Sequence, residues 1–272
     1  MMRSLWTGSS GMIAQQTNVD TIANNLSNVN TSGYKSEKTE FKSLLYQTLQ
    51  TKTTSANGEE KPISAQVGLG TRVASNTSIF TQGSLIANES KSAFAIEGNG
   101  LFSVRGADGE TYYTRNGNFS WVKDGNVVSL CTQEGYHVLD SNGNVISLPA
   151  NVSSESVEFQ SNSGEIGYKD GAGNYHALNQ RIGIYQFRNP AGLEKESNSL
   201  LSVTEASGDA MSEYTNNNLT RSKIVQGYLE GSNVQLADEM VNLIVAQRAY
   251  EMNSKVITTS DDMLGIANQL KR

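Results

Sequence analysis

The segment ANNLSNVNTSGYKSE, residues 23–37, marks the point at which the first element of the chain has to end. Its fifteen residues include four Asn, three Ser, one Thr and one Gly, which favour caps and turns over helix interiors. The residues before it repeat an apolar side chain every seventh position and predict an amphipathic helix over about residues 3–29. The apolar positions of this predicted helix are Leu5, Met12, Val19, Ile22, Leu26 and Val29.

Gly33 follows the predicted helix end, where a backbone with positive φ commonly closes the last turn. A β-branched side chain would be strained in that conformation by about 1–2 kcal/mol, whereas Asn tolerates it. We therefore expect Gly33→Val to be costly and Gly33→Asn to be mild. Gly8 and Gly11 weaken the preceding helix, which predicts that it needs a packing partner.

A second helix is predicted at the other end of the chain, over about residues 234–270. Ser232 or Asn233 would be its N-cap, and Lys271 and Arg272 would lie at its negative end. A narrow stripe on so long a helix is typical of a coiled coil, with an ordinary bundle edge as the alternative. The stripe consists of Leu236, Met240, Leu243, Tyr250, Ile257, Leu264 and Ala267. We expect the two stripes to bury each other or to pack between subunits.

The middle of the chain predicts an inserted β domain, because short apolar alternations there are separated by turn dipeptides. The fold class is therefore α+β, with long terminal helices pairing as a coiled-coil-like layer. The predicted domains are 1–35 with 228–272 (helical), 36–66 (linker or extended) and 67–227 (β). The even spacing of the first three turn pairs predicts a meander. The turn pairs are Asp108-Gly109, Asn116-Gly117, Asp124-Gly125 and Asn142-Gly143.

Composition excludes several classes of function. The 272 residues carry a net charge of −6 and a mean hydropathy of −0.42, which argue against nucleic acid and anionic membranes as main partners. No apolar run reaches the roughly 18 residues of a membrane span, and residues 1–16 lack the apolar core of a signal peptide. Cys131, the single cysteine, excludes an intrachain disulfide and is expected in the core.

No motif for catalysis or cofactor binding stands out, so the protein is not expected to be an enzyme or to hold a metal. Gly98 and Gly100 form a partial G-x-G, but Ser103 occupies the third glycine position and strand residues follow. Two His and one Cys are too few for a convincing zinc site. The acidic pairs at 59–60 and 261–262 are interpreted as solvated surface residues.

Both ends of the chain nevertheless carry a recognisable pattern. TIANNLSNVNTSGYKSE resembles the N-terminal signature of bacterial flagellar rod and hook axial proteins, A-N-N-L-A-N-x-x-T-x-G-[FY]-K. The matching residues are Ala23, Asn24, Asn25, Leu26, Asn28, Val29, Thr31, Gly33, Tyr34 and Lys35. GSNVQLADEMVNLIVAQRAYEMNSKVITTSDDML is similar to the family's C-terminal segment, through Ser232, Asn233, Val234, Glu239, Met240, Gln247, Arg248, Ala249, Tyr250, Lys255, Asp262, Met263 and Leu264. FAIEGNGLFSV and YTRNGNF resemble the β domain of the longer rod proteins.

The resemblance implies a structural subunit that polymerises helically into the tubular drive shaft of the basal body. It implies terminal helices lining the inner tube, and as partners the chain itself, neighbouring rod and hook proteins and the flagellar type III export apparatus. Export by that route would explain the missing signal peptide. Length and detail look most like a distal rod subunit, with a large proximal rod subunit or a hook-type protein as alternatives. A cell-wall hydrolase and an extracellular adhesin-like module are the rivals from other classes.

Two local interpretations stay open. Asn24, Asn25 and Asn28 either cap their own helix or bond to neighbouring subunits, and we favour the second. The spacing of four apolar residues, Phe41, Leu44, Leu45 and Leu49, predicts a short helix, whereas the resemblance implies an extended chain there.

Overall fold

The computed structural model describes residues 2–50, 65–125, 127–149, 152, 156–160, 164–169, 174–216 and 218–270. The chain forms two compact units, each built from separate segments. The helical unit consists of Met1–Ser27, Glu37–Ser78 and Gln235–Arg272. The β unit consists of Asn28–Ser36 and Ile79–Val234. These units divide the chain differently from the predicted domains, which placed residues 28–35 and 228–234 with the helices.

The two terminal helices and a mostly β middle agree with the predicted α+β class. In the helical unit they are α1 (Met2–Ser27) and α2 (Leu236–Gln269), close to the predicted ranges. The unit also contains β1 (Glu37–Ser43), β2 (Tyr46–Gln50), β3 (Ala65–Gly68) and β4 (Thr71–Ser78). β1 pairs antiparallel with β4, and β2 pairs antiparallel with β3.

The short helix predicted over residues 41–49 is wrong, because this segment contributes to β1 and β2. Pairing of β1 with β4 supplies backbone hydrogen bonds that outweigh a local spacing of four apolar side chains. Most of the described residues of the predicted linker, 36–66, also lie in strands. Residues 51–64 lie outside the described residues.

The start of α2 also differs from the prediction. Its N-cap is Gln235, which makes no side-chain cap bond. Asp238 and Glu239 lie in the first turn, at the positive end of the helix, as expected. Asn233, one of the two predicted caps, uses its side chain elsewhere in the β unit. Lys271 and Arg272, predicted at the negative end, lie outside the described residues.

α1 and α2 pack antiparallel through small side chains. The Ser4 hydroxyl lies 3.0 Å from the Ser260 hydroxyl. A Cβ at Gly8 would lie 2.9 Å from Cγ1 of Ile257, so the helices approach too closely there for any side chain. The buried positions of α1 are Gly8, Gly11, Ala14, Thr21, Ile22 and Asn25.

The predicted apolar stripe of α1 therefore lies beside the helix seam, not along its centre. Leu5, Met12, Val19 and Leu26 are only half-buried, whereas Ile22 is buried. Along α2, Leu243, Ile257 and Leu264 are half-buried, while Leu236, Met240 and Tyr250 stay exposed. Small residues occupy the seam because a larger side chain would keep the two helix backbones apart.

In the β unit, strands dominate the described residues. They are β5 (Leu85–Ala87), β6 (Phe94–Glu97), β7 (Leu101–Arg105), β8 (Thr111–Thr114), β9 (Phe119–Asp124), β10 (Val127–Thr132), β11 (His137–Val138), β12 (Ser147–Pro149), β13 (Val157–Gln160), β14 (Glu165–Lys169), β15 (Tyr175–Arg181), β16 (Ile184–Gln186), β17 (Glu194–Lys195), β18 (Leu200–Ser202), β19 (Met211–Ser212), β20 (Lys223–Gln226) and β21 (Tyr228–Glu230).

The largest sheet has the order β12-β10-β11-β7-β8-β18-β17, with β9 on β10 and β16 joining β7 to β19. β13, β14 and β15 form a second sheet, and β20 pairs with β6 and β21 with β5. The apolar faces enclose a core in which the Phe102 and Phe119 rings meet edge to face at 5.2 Å.

Three of the four predicted tight turns are confirmed by positive φ at their glycines: Gly109 (86°), Gly125 (59°) and Gly143 (81°). The fourth is wrong. Gly117 is required because a Cβ there would lie 1.7 Å from the Phe94 carbonyl oxygen, a close backbone approach. Since β8 pairs with β18 instead of β9, the predicted continuous meander is also wrong.

Neither helix is long and apolar enough, over the part of the chain that the structure describes, to cross a lipid bilayer.

Gly8→Leu should destabilise the helical unit by on the order of 1–3 kcal/mol, because the new side chain has to displace α2. Gly265→Leu is the matched control, since no atom lies within 4 Å of its Cβ position. The control should stabilise the helix by up to about 1 kcal/mol, because Leu has the higher helix propensity. Urea unfolding followed by far-ultraviolet circular dichroism measures both. Equal effects of the two substitutions would contradict close packing at Gly8.

Candidate functional site

No cluster of three or more His, Cys, Asp or Glu suited to a metal ion occurs among the described residues. One pairing that the sequence did not indicate brings the Cys131 sulfur to 3.3 Å from Nδ1 of His137. Both lie on facing positions of β10 and β11, and Cys131 is buried as expected for a core residue. Because the thiol is buried, this pair is a feature of the sheet and does not form an accessible reactive site.

The most concentrated polar chemistry of the β unit surrounds Glu230, at the end of β21. Its side chain is 1% exposed and forms ion pairs with two cations, Lys35 and Arg115. The Lys35 ammonium donates to Oε1 at 2.7 Å, and the Gly83 backbone N–H donates to the same oxygen at 2.8 Å. The Arg115 guanidinium donates to Oε2. We call Lys35, Arg115 and Glu230 the junction cluster.

Arg115 ties this cluster to the turn between β6 and β7. Its guanidinium also donates to the carbonyl oxygens of Ile96 (2.9 Å), Gly98 (2.6 Å) and Gly100. The partial G-x-G is thus a turn between strands, as predicted, and its carbonyls serve as acceptors for a buried arginine. Arg115 itself is 5% exposed.

Lys35 lies in residues 28–36, which we call the signature loop. Its side chain holds this loop against the segment of the β unit that contains Thr81. Besides its bond to Glu230, its ammonium donates to the Thr81 carbonyl oxygen at 2.7 Å. Burial lowers the pKa of Lys35 below its usual value, and the bond to Glu230 offsets part of that effect. The nearby Arg115 guanidinium also lowers the pKa of Lys35, by less than burial does.

Gly33 has φ of +72°, which confirms the predicted left-handed conformation. The structure adds a second constraint, because a Cβ would lie 2.6 Å from the Asn116 nitrogen and 2.7 Å from the Arg115 carbonyl carbon. The Gly33 N–H donates to the Glu230 carbonyl oxygen at 2.8 Å. The structure therefore predicts that Asn is not tolerated here, in contrast to the expectation from sequence, because the loop packs directly on backbone.

The side chain of Asn233, in the C-terminal signature, links the end of the signature loop at Ser36 to the segment that contains Ile79 and Thr81. Its Oδ1 accepts from the Ser36 N–H at 2.7 Å, and its Nδ2 donates to the Ile79 carbonyl oxygen at 2.8 Å. Nδ2 also lies 2.9 Å from the Thr81 hydroxyl. This role explains why Asn233 does not cap α2.

The signature asparagines behave differently from one another. In the helical unit, Asn25 is 1% exposed, and its amide bonds to both the N–H (2.9 Å) and the carbonyl oxygen (2.8 Å) of Glu37. Asn24 is exposed. In the β unit, the Thr31 hydroxyl donates to Oδ1 of Asn28 at 3.1 Å. The Asn25 amide thus bonds to extended backbone of its own chain.

Three further signature residues make other contacts. The Tyr34 ring is 5.4 Å from Nζ of Lys195. On α2, Gln247 lines a cavity of about 370 Å³ with Val19 and Tyr250. Arg248, on the same helix, pairs with Glu251 at 2.9 Å in solvent.

Sequence reasoning missed Arg115 and Glu230, although both sit beside motifs it had singled out. Arg115 precedes the Asn116-Gly117 pair, and Glu230 precedes the C-terminal signature. A charged residue inside an otherwise apolar strand pattern was the available signal, since such a residue is buried only when paired.

Glu230→Gln should destabilise the β unit by about 3–5 kcal/mol, because Lys35 and Arg115 would be left buried without a counter-charge. Glu158→Gln is the matched control, since Glu158 pairs with Lys169 at 2.6 Å but is about half exposed. The control should cost less than about 1 kcal/mol. Urea unfolding followed by tryptophan fluorescence measures both. A similar loss in the two variants would contradict the importance of the junction cluster.

Gly33→Asn should cost at least about 3 kcal/mol, because the side chain collides with backbone that cannot move independently. Gly109→Asn tests the conformation without the collision, since Gly109 has φ of +86° and no atom within 4 Å of its Cβ position. That variant should lose less than about 1 kcal/mol, as Asn tolerates positive φ. Thermal unfolding of the two proteins, compared with the parent, gives the difference. Equal midpoints would show that Gly33 is needed for its φ alone.

Three family models match the chain. "Flagella basal body rod protein" matches residues 5–35, "Flagellar hook protein FlgE/F/G D1 domain" matches 95–168, and "Flagellar basal body rod FlgEFG protein C-terminal" matches 225–270. Each of the three segments supplies one member of the junction cluster.

Several relatives are similar over their full length, and each bears the name flagellar basal-body rod protein FlgG. The relative from Borreliella burgdorferi is 44% identical, with both chains fully covered. The relative from Agrobacterium fabrum is 41% identical, covering 98% of this chain and 99% of its own. The relative from Bacillus subtilis is 37% identical, again with both chains fully covered. With this identity maintained from end to end, the chain belongs to the family of flagellar basal-body rod proteins.

Proposed function

We propose that the protein is a structural subunit of the flagellar basal-body rod and polymerises helically into the tube that transmits torque from motor to hook. The observation that carries this proposal is a second apolar face on α2, distinct from the face that packs on α1. This face is exposed in the single chain. Its members are Val241, Val245, Met252, Val256, Met263 and Ile266.

The second face is continuous. At about 3.6 residues per turn these six residues lie within about 80° of one another around the helix. The face that contacts α1, through Ala246 and Ile257, lies about 120° away by the same geometry. Val245 is 61% exposed and Met252 is 64% exposed, so the described residues leave this face uncovered.

A helix with apolar residues on two sides is suited to burial between layers. An exposed apolar strip several turns long marks an interaction surface on a soluble subunit. Trp6 and Ile13 of α1 are also exposed, at 76% and 64%, and they lie seven residues apart on one side of that helix. The terminal helices of neighbouring copies are the partners that fit these surfaces.

The proposal also includes the residues that the sequence predicted to pack between subunits. The half-exposed positions of α1 and α2, Leu5, Met12, Val19, Leu26, Leu236, Met240, Leu243, Tyr250, Ile257 and Leu264, would be covered further in the polymer. Neighbouring rod and hook proteins would bind the two ends of the stack, and the flagellar export apparatus would deliver the subunit to the periplasmic basal body. The distal part of the rod is the position we propose, as relatives that are 36–44% identical over nearly their whole length share the name of one rod protein.

Met252→Glu should abolish polymerisation without destabilising the single chain. The side chain is mostly exposed before assembly, but a buried carboxylate in the polymer would cost several kcal/mol per subunit. Thr258→Glu, exposed on another side of α2, is the matched control. Sedimentation and electron microscopy of the purified proteins measure polymer yield, with circular dichroism as the folding control. Tubes formed equally by both variants, or single particles from the parent under all conditions, would contradict the proposal.

A further inference from the structure

The helical unit has a pocket on one side of the seam between α1 and α2, which we call the seam pocket. Its volume is about 370 Å³, which is large enough for an indole ring. Val19 and the Tyr250 ring supply apolar surface, and Gln16, Gln247 and Glu251 complete the lining. The lining thus combines apolar surface with amide and carboxylate oxygen atoms, which accept hydrogen bonds.

Trp6 is the most exposed aromatic side chain among the described residues, at 76%. Trp121, the other tryptophan, is partly buried against the core of the β unit. Tryptophan is highly buried on average in folded proteins, and it combines a large apolar ring with an N–H that only donates. An exposed tryptophan is therefore typical of an interface residue that becomes buried on association.

The seam pocket offers a partner to both parts of this side chain. The apolar ring of Trp6 fits against Val19 and against the Tyr250 ring, in the edge-to-face or offset arrangement that aromatic pairs prefer. Its N–H can donate to the Gln247 amide oxygen or to the Glu251 carboxylate, both of which belong to exposed residues of the lining. The chemistry of the pocket therefore suits tryptophan better than an aliphatic side chain.

Trp6 cannot reach the seam pocket of its own chain. Val19 lies thirteen residues further along α1, which corresponds to about 20 Å along the helix axis. Trp6 also points away from α2, because it lies about 140–160° around α1 from Ser4, Gly8 and Gly11, the positions that approach α2. A tryptophan that fills the pocket therefore comes from another copy of the chain.

The separation of Trp6 from the pocket also determines the kind of assembly. When copies run in the same direction, each gives its tryptophan to one neighbour and receives that of another at a different place. Such heterologous contacts generate rings or open helical filaments. The spacing of about 20 Å along α1 would displace each copy along the helix direction relative to the next.

We propose that Trp6 of one copy inserts into the seam pocket of a second copy and fixes the register of neighbouring subunits. The second apolar face of α2 supplies broad packing that tolerates sliding, whereas a ring held in a pocket permits one position only. This inference rests on the proposed function, since it needs a polymer in which the terminal helices of two copies lie side by side.

A double-mutant cycle on the critical concentration for polymerisation tests the contact. Trp6→Leu and Tyr250→Leu each remove one aromatic ring and keep an apolar side chain with high helix propensity. Each should raise the critical concentration by about three- to tenfold, the value of an aromatic pair at an interface. The double variant should raise it by much less than the product of the single effects, because either substitution alone already removes the contact.

Ile13→Ala is the matched control for the cycle. Ile13 is 64% exposed on the same side of α1 as Trp6, but about 10 Å further along the helix. Combined with Tyr250→Leu, its effect should multiply to within about twofold, as expected of independent sites. Effects of Trp6→Leu and Tyr250→Leu that multiply in the same way would overturn the proposal.

Fluorescence reports the burial of Trp6 directly. On polymerisation of the parent, tryptophan emission should shift to shorter wavelength and quenching by acrylamide should decrease. Trp121 is partly buried in the single chain and gives the background, which the Trp6→Leu protein measures separately. Polymers in which Trp6 remains as accessible to acrylamide as in the dilute chain would overturn the proposal.

Below the critical concentration, Trp6→Leu and Tyr250→Leu should leave the thermal midpoint close to that of the parent, because both side chains are exposed. A marked fall caused by Trp6→Leu would show that Trp6 already packs within the single chain, which would also overturn the proposal. If the parent forms no polymer at all, the proposed function fails first. Tubes with unchanged Trp6 emission would leave that function standing and remove only this contact, so the two failures are distinguishable.

Discussion

The β unit depends on one carboxylate that lies far from water. Glu230 accepts from Lys35, Arg115 and the Gly83 N–H, so three segments distant in sequence converge on two oxygen atoms. Removing charges from water costs several kcal/mol per ion, and the attraction between them repays that cost only when the geometry is complete. The cluster therefore contributes little net stability over an apolar core, but it strongly penalises any arrangement in which one of the three segments is missing. That asymmetry suits a protein whose signature loop must dock in one way only.

The helical unit depends on close packing between α1 and α2, not on buried charge. Glycines at positions 8 and 11 weaken α1, yet they allow α2 to approach so closely that a Cβ at either site would collide with Ile257 or Asn253. The pair is thus held by shape at a narrow seam, while the larger apolar side chains lie beside it or face outward. A chain that buried all of them internally would be more stable alone and would have less surface to offer to a neighbour.

The sequence predicted the elements better than their contacts. Heptad spacing located both helices because periodicity is a local property, and glycine turns at 109, 125 and 143 were identified for the same reason. Gly117 was misread because its requirement comes from the carbonyl of Phe94, a neighbour that only the folded sheet supplies. The second face of α2 was present in the sequence at spacings of three, four and seven. The stronger seven-residue repeat of Leu243, Tyr250 and Ile257 obscured it.

Local sequence patterns could not predict the junction cluster, because its members lie far apart in the sequence. Lys35, Arg115 and Glu230 are separated by 80 residues or more, and no spacing rule joins them. The resemblance to axial proteins singled out Lys35 but said nothing of what it contacts. Partners of buried charges are determined by tertiary structure, whereas the requirement that a buried charge has a partner is general. The prediction available from sequence was therefore that Lys35, if buried, binds an acid, without the identity of that acid.

The side-chain amide of asparagine explains why a polar stretch follows α1. An asparagine side chain carries a donor and an acceptor at the spacing of a peptide group, so it can pair with extended backbone as another strand would. In the helical unit Asn25 does this with both backbone groups of Glu37, and in the β unit Asn233 does it with Ser36 and Ile79. Aspartate lacks the donor and leucine lacks both groups, so either would leave a buried backbone group without its bond. Asn25 and Asn233 thus satisfy backbone groups on the segments that follow α1 and precede α2.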